Sequence, residues 1–244
     1  MLISLVGYAG GQQGRVYKTT DGGTNWVVHG SIGSTLLDID FPPSSDSGYC
    51  SGMTGKIYKI TPSGISSMYT GLNSHLYSIS LPNGLQGWAC GGSIIVHFNN
   101  GIWNTDQAYP SESYNTVYLV NNLSGWAAGD NGTIIHAEDG ITWNSQVNPD
   151  SLNASLYDVF FLNSNEGWIV GSFGRVLHTT NGGTDWSIIL NGWTNNMLLS
   201  VQFTSQTNGY ILGNNKTLFK YGLLTDVEEQ PTQPTEFKLE QNYP

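Results

Sequence analysis

A glycine followed by an aromatic residue recurs along the whole chain: Gly7-Tyr8, Gly48-Tyr49, Gly87-Trp88, Gly125-Trp126, Gly167-Trp168 and Gly209-Tyr210. The aromatic positions stand 41, 39, 38, 42 and 42 residues apart. Around each pair the apolar residues alternate with polar ones, a period of two that belongs to strands and excludes helical or leucine-rich solenoids. A strand-rich unit repeated every forty residues or so is the signature of β-propeller blades, each a four-stranded sheet that must stack on its neighbours to bury its faces.

The clearest copy is residues 156–186, where Leu156–Phe161, Gly167–Gly171 and Arg175–Thr179 read as strands separated by Gly and Asn clusters, before a further strand opens at Trp186. Opening strands are expected at Leu36–Phe41, Leu76–Leu81, Tyr114–Leu119, Leu156–Phe161 and Leu198–Phe203. Third strands follow at 15–18, 56–59, 94–97, 133–136, 175–178 and 217–220. The first repeat lacks its opening strand, and Leu223–Val227 is read as a short fourth strand of the last. The expectation is therefore an all-β propeller over residues 1–227, with about six repeats centred on 8, 49, 88, 126, 168 and 210 and the first and last incomplete. The chain reads as a fragment of a protein of six to eight blades, because a terminal sheet leaves an apolar face in water.

Composition narrows the function classes. Of 244 residues 31 are glycine, 12% are aromatic and only 11% are charged, against about 25% charged in an average soluble domain. The formal net charge of −10 argues against nucleic acid, which needs clustered Lys and Arg. No apolar run is long enough to span a bilayer, and residues 1–10 lack the basic start of a signal peptide. Cys50 and Cys90 fall at offsets differing by one residue in neighbouring repeats, so they are read as two buried free thiols.

After most third strands comes a turn motif. Thr19-Thr20-Asp21-Gly22-Gly23-Thr24-Asn25-Trp26 and Thr179-Thr180-Asn181-Gly182-Gly183-Thr184-Asp185-Trp186 are the full copies. Glu138–Trp143 and Asn99–Trp103 are shortened, and Thr61-Pro62-Ser63-Gly64 leading to Tyr69 is the most decayed. The Asp or Asn side chain is expected to fold back on turn N–H groups while Gly supplies the backbone angles. The Trp is expected to pack between sheets, its burial worth roughly 4–6 kcal/mol against about 1 kcal/mol for a turn hydrogen bond. These turns resemble the Asp boxes of bacterial neuraminidase repeats. The wider pattern L-x-D-V-x-F, G-W-x-V-G-x-x-G and T-T-D-G-G-x-x-W resembles the photosystem II stability and assembly factor family of YCF48-like propellers. That resemblance covers residues 1–222 and implies a fold without fixing an activity.

Candidate chemistry is sparse. A sialidase clamps its substrate carboxylate with three arginines; this chain has two, Arg15 and Arg175, so sialidase is rejected and no enzyme activity is expected. Asp38 and Asp158 share a column with Ser78, Thr116 and Ser200, which reads as hydrogen bonding between blades rather than a glycosidase acid pair; Asp40 adds an acid with no evident partner. His97, His136 and His178 share their column with Lys18, Lys59 and Lys220, so the position wants a long basic side chain, and no metal site or cofactor is expected. His29 and His75 fall in loops without a pattern. Arg15, Lys56 and Arg175 align after the second-strand turn, and the family resemblance makes this column a candidate basic patch for a protein client.

The tail shifts in character. Residues 228–236 read as a Pro, Gln and Glu linker. Phe237-Lys238-Leu239-Glu240-Gln241-Asn242-Tyr243-Pro244 resembles the start of the type IX secretion C-terminal sorting domain, which implies export to the medium or the outer-membrane surface. The leading expectation is a secreted or surface-attached, monomeric, non-catalytic scaffold that binds a protein or glycan. The first alternative is an assembly factor for a membrane protein complex. The second is a glycoside hydrolase whose catalytic parts lie outside the chain.

Overall fold

A computed structural model describes residues 5–43, 45–68, 72–108, 113–190, 194–222 and 237–239. Every extended element is a β-strand, and the described helical elements are four single 3-10 turns. The strands form six antiparallel meanders, each in chain order. Sheet I holds Gly7–Gly10, Arg15–Thr19 and Val27–Ser31; sheet II holds Leu36–Asp40, Gly48–Gly52, Ile57–Thr61 and Gly64–Met68. Sheet III holds Ser78–Ser80, Gln86–Gly91, Ile94–Asn99 and Ile102–Ala108; sheet IV holds Tyr114–Leu119, Gly125–Gly129, Ile134–Ala137 and Trp143–Ser145. Sheet V holds Leu156–Phe161, Gly167–Gly171, Val176–Thr179 and Ser187–Leu190; sheet VI holds Leu198–Ser205, Asn208–Gly213, Leu218–Gly222 and Phe237–Leu239.

The expected architecture is present: an all-β chain of propeller-type sheets, with three strands described in the first. Leu223–Val227 lies outside the described residues. The described fourth strand of sheet VI is instead Phe237–Leu239, paired to its third through Tyr221↔Phe237 and Phe219↔Leu239. The chain divides into two compact units, residues 1–122 and 123–244.

Within each unit, sheets pack face to face through the recurring Gly-aromatic pairs. Phe161 lies flat over Gly167, where an added Cβ would come within 2.6 Å of its ring. Phe203 covers Gly209 in the same way, at 2.5 Å. The glycine is needed for this close approach, and the ring laid across it is free to meet the preceding sheet. Phe161 stacks on Trp126 at 3.7 Å and Phe203 on Trp168 at 3.7 Å, while in the first unit Phe41 stacks on Tyr8 at 4.5 Å. The Gly-aromatic repeat is thus the wedge between sheets.

The first strand of a sheet is an edge whose unpaired N–H groups need acceptors. The preceding sheet supplies them. Asp38 accepts from Ile79 N at 2.8 Å, Asp40 from Leu81 N at 2.6 Å and Asp158 from Val201 N at 2.8 Å. Ser78 and Ser80 do the same for Val117 N (3.2 Å) and Leu119 N (3.1 Å). The sequence reading of Asp38 and Asp158 as inter-blade hydrogen-bonding residues matches these contacts. Asp40, read as unpartnered, belongs to a second row of the same staples. Burial raises its pKa to about 6, with the Leu81 N–H bond opposing and neighbouring Asp38 adding to the shift.

A carboxyl whose folded pKa lies above its unfolded value stabilises the fold fully at low pH, and that contribution disappears as pH rises through the folded pKa. Asp40→Asn keeps an acceptor for Leu81 N and removes the titration. The variant should gain about 1 kcal/mol relative to the parent between pH 4 and pH 8. Urea unfolding at both pH values checks this, and equal differences at the two would refute it.

Cys50 and Cys90 are free and buried. Burial raises both thiols, Cys50 to about 12, so neither is a thiolate at neutral pH.

Candidate binding face

The hairpin that follows the Gly-aromatic strand is the same in four sheets. Gln13-Gly14, Thr54-Gly55, Asn131-Gly132 and Phe173-Gly174 all take left-handed backbone angles, with φ from 56° to 71°. A phenylalanine rarely sits there, yet Phe173 does, with 54% of its surface exposed.

Beside these hairpins the opening strand is bulged. Leu36 pairs with Gly52 and Asp38 with Ser51, so Leu37 has no opposite residue. Tyr157 is skipped between Leu156↔Gly171 and Asp158↔Val170, and Leu199 between Leu198↔Gly213 and Ser200↔Leu212. A bulge re-aims a side chain. Here it sends an apolar or aromatic residue outward at the end of the sheet that carries the hairpin.

In the first unit the hairpin of sheet II is joined to the next sheet. Turn Met53–Gly55 abuts the entry to sheet III, because Gly52 O accepts from Leu76 N at 3.1 Å and Thr54 N donates to His75 Nδ1 at 3.1 Å. His75 meets Tyr77 edge-on at 6.2 Å. Leu37, Met53 and Tyr77 are between 38% and 40% exposed, and Lys56 and Arg15, each following a hairpin glycine, are exposed as well. In the second unit Ser172 Oγ donates to Tyr157 OH at 3.1 Å, and Tyr157 OH to Met197 Sδ at 3.5 Å. Phe173, Met197 and Leu199 are exposed there.

The predicted basic column divides. Arg15 and Lys56 are exposed. Arg175 is not a surface residue: its Nε lies 3.0 Å from Asp150 Oδ2, with 7% of Arg175 and 4% of Asp150 exposed. Asp150, in the loop that precedes Leu156–Phe161, neutralises the guanidinium and withdraws it from solvent; this partner is 25 residues away in sequence, so spacing did not reveal it.

The His and Lys column has a more specific reason than its position in the strand. Each of these residues is the direct cross-strand partner of a repeat aromatic: Tyr8↔Lys18, Tyr49↔Lys59, Trp88↔His97, Trp126↔His136, Trp168↔His178 and Tyr210↔Lys220. Histidine stands opposite every Trp and lysine opposite every Tyr. The imidazoles stack on the indoles at 4.5, 4.2 and 4.8 Å, and the Lys18 and Lys59 ammonium groups sit 5.4 and 5.8 Å over phenol rings. The column seals the aromatic wedge with π-stacking or cation–π contact. Among the described residues no three His, Cys, Asp or Glu side chains are grouped to hold a metal ion.

The Thr-x-Asp turns behave as expected locally. Thr19 Oγ1 accepts from Gly23 N at 2.9 Å and Asp21 Oδ1 from Asn25 N at 2.9 Å; Thr179 and Asn181 repeat this with Gly183 N at 2.9 Å and Asp185 N at 3.0 Å. The Asn25 N–H bond leads the effects that hold Asp21 below the usual carboxylate range. The tryptophans differ. Trp186 is buried and donates to Gln146 of the preceding sheet at 3.0 Å, and Trp103 packs on Tyr49 of the preceding sheet at 6.4 Å. Trp26 does not pack between sheets as expected and is 45% exposed. These rings reach backward, and sheet I is the first of its unit.

His29 and His75 also find roles that their sequence context concealed. His29 lies within Val27–Ser31, bonding Thr61 O at 2.9 Å from its Nε2, and His75 accepts from the sheet II hairpin as described above.

Comparison with known proteins agrees with this architecture. The sequence model for photosynthesis system II assembly factor YCF48 matches residues 102–192. No curated protein matches the chain in sequence. Among solved structures, YCF48 bound to a D1 peptide is similar at 19% identity over 89% of this chain and 74% of that one, with a TM-score of 0.73. YCF48 from Cyanidioschyzon merolae is 15% identical over 88% of this chain and 79% of that one, with a TM-score of 0.69. The WD40 propeller domain of Doa1 is 12% identical over 94% and 79%, with a TM-score of 0.72. At these identities the likeness establishes the propeller fold.

Proposed function

We propose that the chain is a non-catalytic propeller that binds an extended segment of a protein client, in the manner of an assembly factor for a membrane protein complex. The observation carrying this reading is the left-handed hairpin Met53–Gly55 joined to the entry of sheet III, with exposed Met53 and Tyr77, the bulged and exposed Leu37, and exposed Lys56 and Arg15 each following a hairpin glycine. Exposed Met and aromatic side chains with flanking cations form the usual core and rim of a protein-binding surface. The likeness to a YCF48 that holds a D1 peptide supports a peptide client over a glycan. Export through the type IX route is a separate proposal, resting on Phe237-Lys238-Leu239-Glu240-Gln241-Asn242-Tyr243-Pro244, and it is compatible with a client at an outer membrane.

An array of 15-residue peptides tiling the water-exposed segments of the host's membrane proteins tests the binding reading. Leu37→Ser, Met53→Ser and Tyr77→Ser combined should weaken the best peptide at least tenfold, about 1.4 kcal/mol, while the melting temperature holds, since all three side chains are exposed. Unchanged binding by the triple variant, or an array with no binder, would overturn it.

A further inference from the structure

Each wedge has two halves. One is the repeat aromatic with its cross-strand His or Lys. The other comes from the following sheet: a ring laid over that sheet's own repeat glycine, the Thr-x-Asp turn, and the tryptophan that ends the turn. Where sheet V follows sheet IV the halves are joined. Phe161 stacks on Trp126 at 3.7 Å, a Cβ on Gly183 of the turn would lie 2.6 Å from Trp126 Nε1, and Trp186 donates to Gln146 at 3.0 Å. The joint is dry, with Trp126 1% and Trp186 7% exposed.

Two halves stand open among the described residues. In sheet VI the repeat aromatic is Tyr210, with Lys220 across the strand from it. Tyr210 is 37% exposed, whereas Tyr49, Trp88, Trp126 and Trp168 are 5% exposed or less. In sheet I the receiving half is open. Its turn, Thr19–Trp26, is the other full copy and makes the same bonds to Gly23 N and Asn25 N, yet Trp26 is 45% exposed. The Trp26 ring leans over the repeat glycine: its Cη2 lies 3.6 Å from where a Cβ on Gly7 would stand, the place that Phe161 holds over Gly167. Exposed Leu5 adjoins the turn, its carbonyl accepting from Gly22 N at 2.8 Å. The most decayed turn, in sheet II, leads to Tyr69, which lies outside the described residues.

The charges of the open halves also match. The sheet V turn, which covers a wedge closed by His136, carries neutral Asn181. The sheet I turn carries Asp21 at that place, and the open wedge of sheet VI ends in Lys220. An acid is offered where the open wedge presents a cation.

We propose that two copies of this chain join head to tail, with Tyr210 and Lys220 of one copy seated against Trp26 and the Thr19–Trp26 turn of the other. The chain specifies the occupant of each half, because it builds the same joint between its own sheets. The two surfaces differ, so the contact is heterologous, and a copy that uses one half still presents the other. The single copy expected from the sequence leaves both rings in water. None of these residues belongs to the client face, so the association neither rests on that reading nor tests it.

Sedimentation of the whole chain over a wide range of concentration tests the proposal. Self-association is expected at about 100 µM or tighter. Trp26→Ser and Tyr210→Ser should each run as single copies where the parent associates, with the melting temperature unchanged because both rings are exposed. An equimolar mixture of the two should form a dimer and nothing larger, since Trp26→Ser retains Tyr210 and Tyr210→Ser retains Trp26. Lys220→Glu should weaken the association about tenfold or more at low salt. A parent that stays single, any of the three variants associating like the parent, or a mixture that does not dimerise would each overturn the proposal. Lys220→Glu leaves both rings in place and decides the matter should a serine variant fail to fold.

Discussion

Arg175→Met should destabilise the second unit by about 3–5 kcal/mol, measured by urea unfolding at pH 7. The guanidinium and the Asp150 carboxylate are both nearly excluded from water and meet at 3.0 Å. Removing one partner strands the other as an uncompensated charge in a medium of low polarity. The size of the effect follows from that stranded carboxylate more than from the lost attraction. Asp150→Asn in the same chain should therefore recover a large part of the loss, because the residual group is then neutral and keeps an acceptor for Leu152 N. A cost below about 1 kcal/mol for Arg175→Met, or a double variant no more stable than the single, would show that the pair is solvated and would return Arg175 to the basic surface.

Trp168→Ala should cost a comparable 3–5 kcal/mol. The indole is 1% exposed and lies between Phe203 at 3.7 Å and His178 at 4.8 Å, so truncation opens a slot between two sheets that the rigid strands cannot close. The matched columns make a finer forecast. Trp168→Tyr and His178→Lys each break the Trp–His match, whereas together they recreate the Tyr–Lys match of sheets I and II. A double-mutant cycle should give a favourable coupling of about 0.5–1.5 kcal/mol, and strict additivity would mean that the matching has no energetic basis. Burial leads in holding the His178 pKa below the ordinary imidazole value, against the opposing pull of Glu166 at 3.5 Å. The unfolded chain therefore binds the proton first, and the contribution of His178 is lost as pH falls below about 6.5. His178→Lys should flatten that part of the acid limb.

How far residues could be read ahead of the structure depended on the range of their partners. The Gly-aromatic spacing identified the wedge, because both members recur in every repeat. Asp38 and Asp158 were legible as hydrogen-bonding positions, since three other repeats offered small polar residues there. The pairing of His with Trp and Lys with Tyr was written in the chain as well, but it shows only when two columns are compared residue by residue. The bulge was visible as a break in alternation: Leu36-Leu37, Leu156-Tyr157 and Leu198-Leu199 put two large apolar residues side by side where a regular strand needs one.

Repeat periodicity, strand alternation and turn chemistry are local properties, each settled within about forty residues. They were enough to determine an all-β chain of stacked four-stranded sheets and the internal geometry of its turns. Which arginine meets solvent, which acid finds an amide, and which ring stays exposed are decided across sheets, by partners that the sequence does not label. Arg175 looks like Arg15 until Asp150 closes on it, and Asp40 looks unpartnered until Leu81 of the next sheet donates to it. Burial and its electrostatic cost depend on what surrounds a group in three dimensions, and only the packed sheets supply those surroundings.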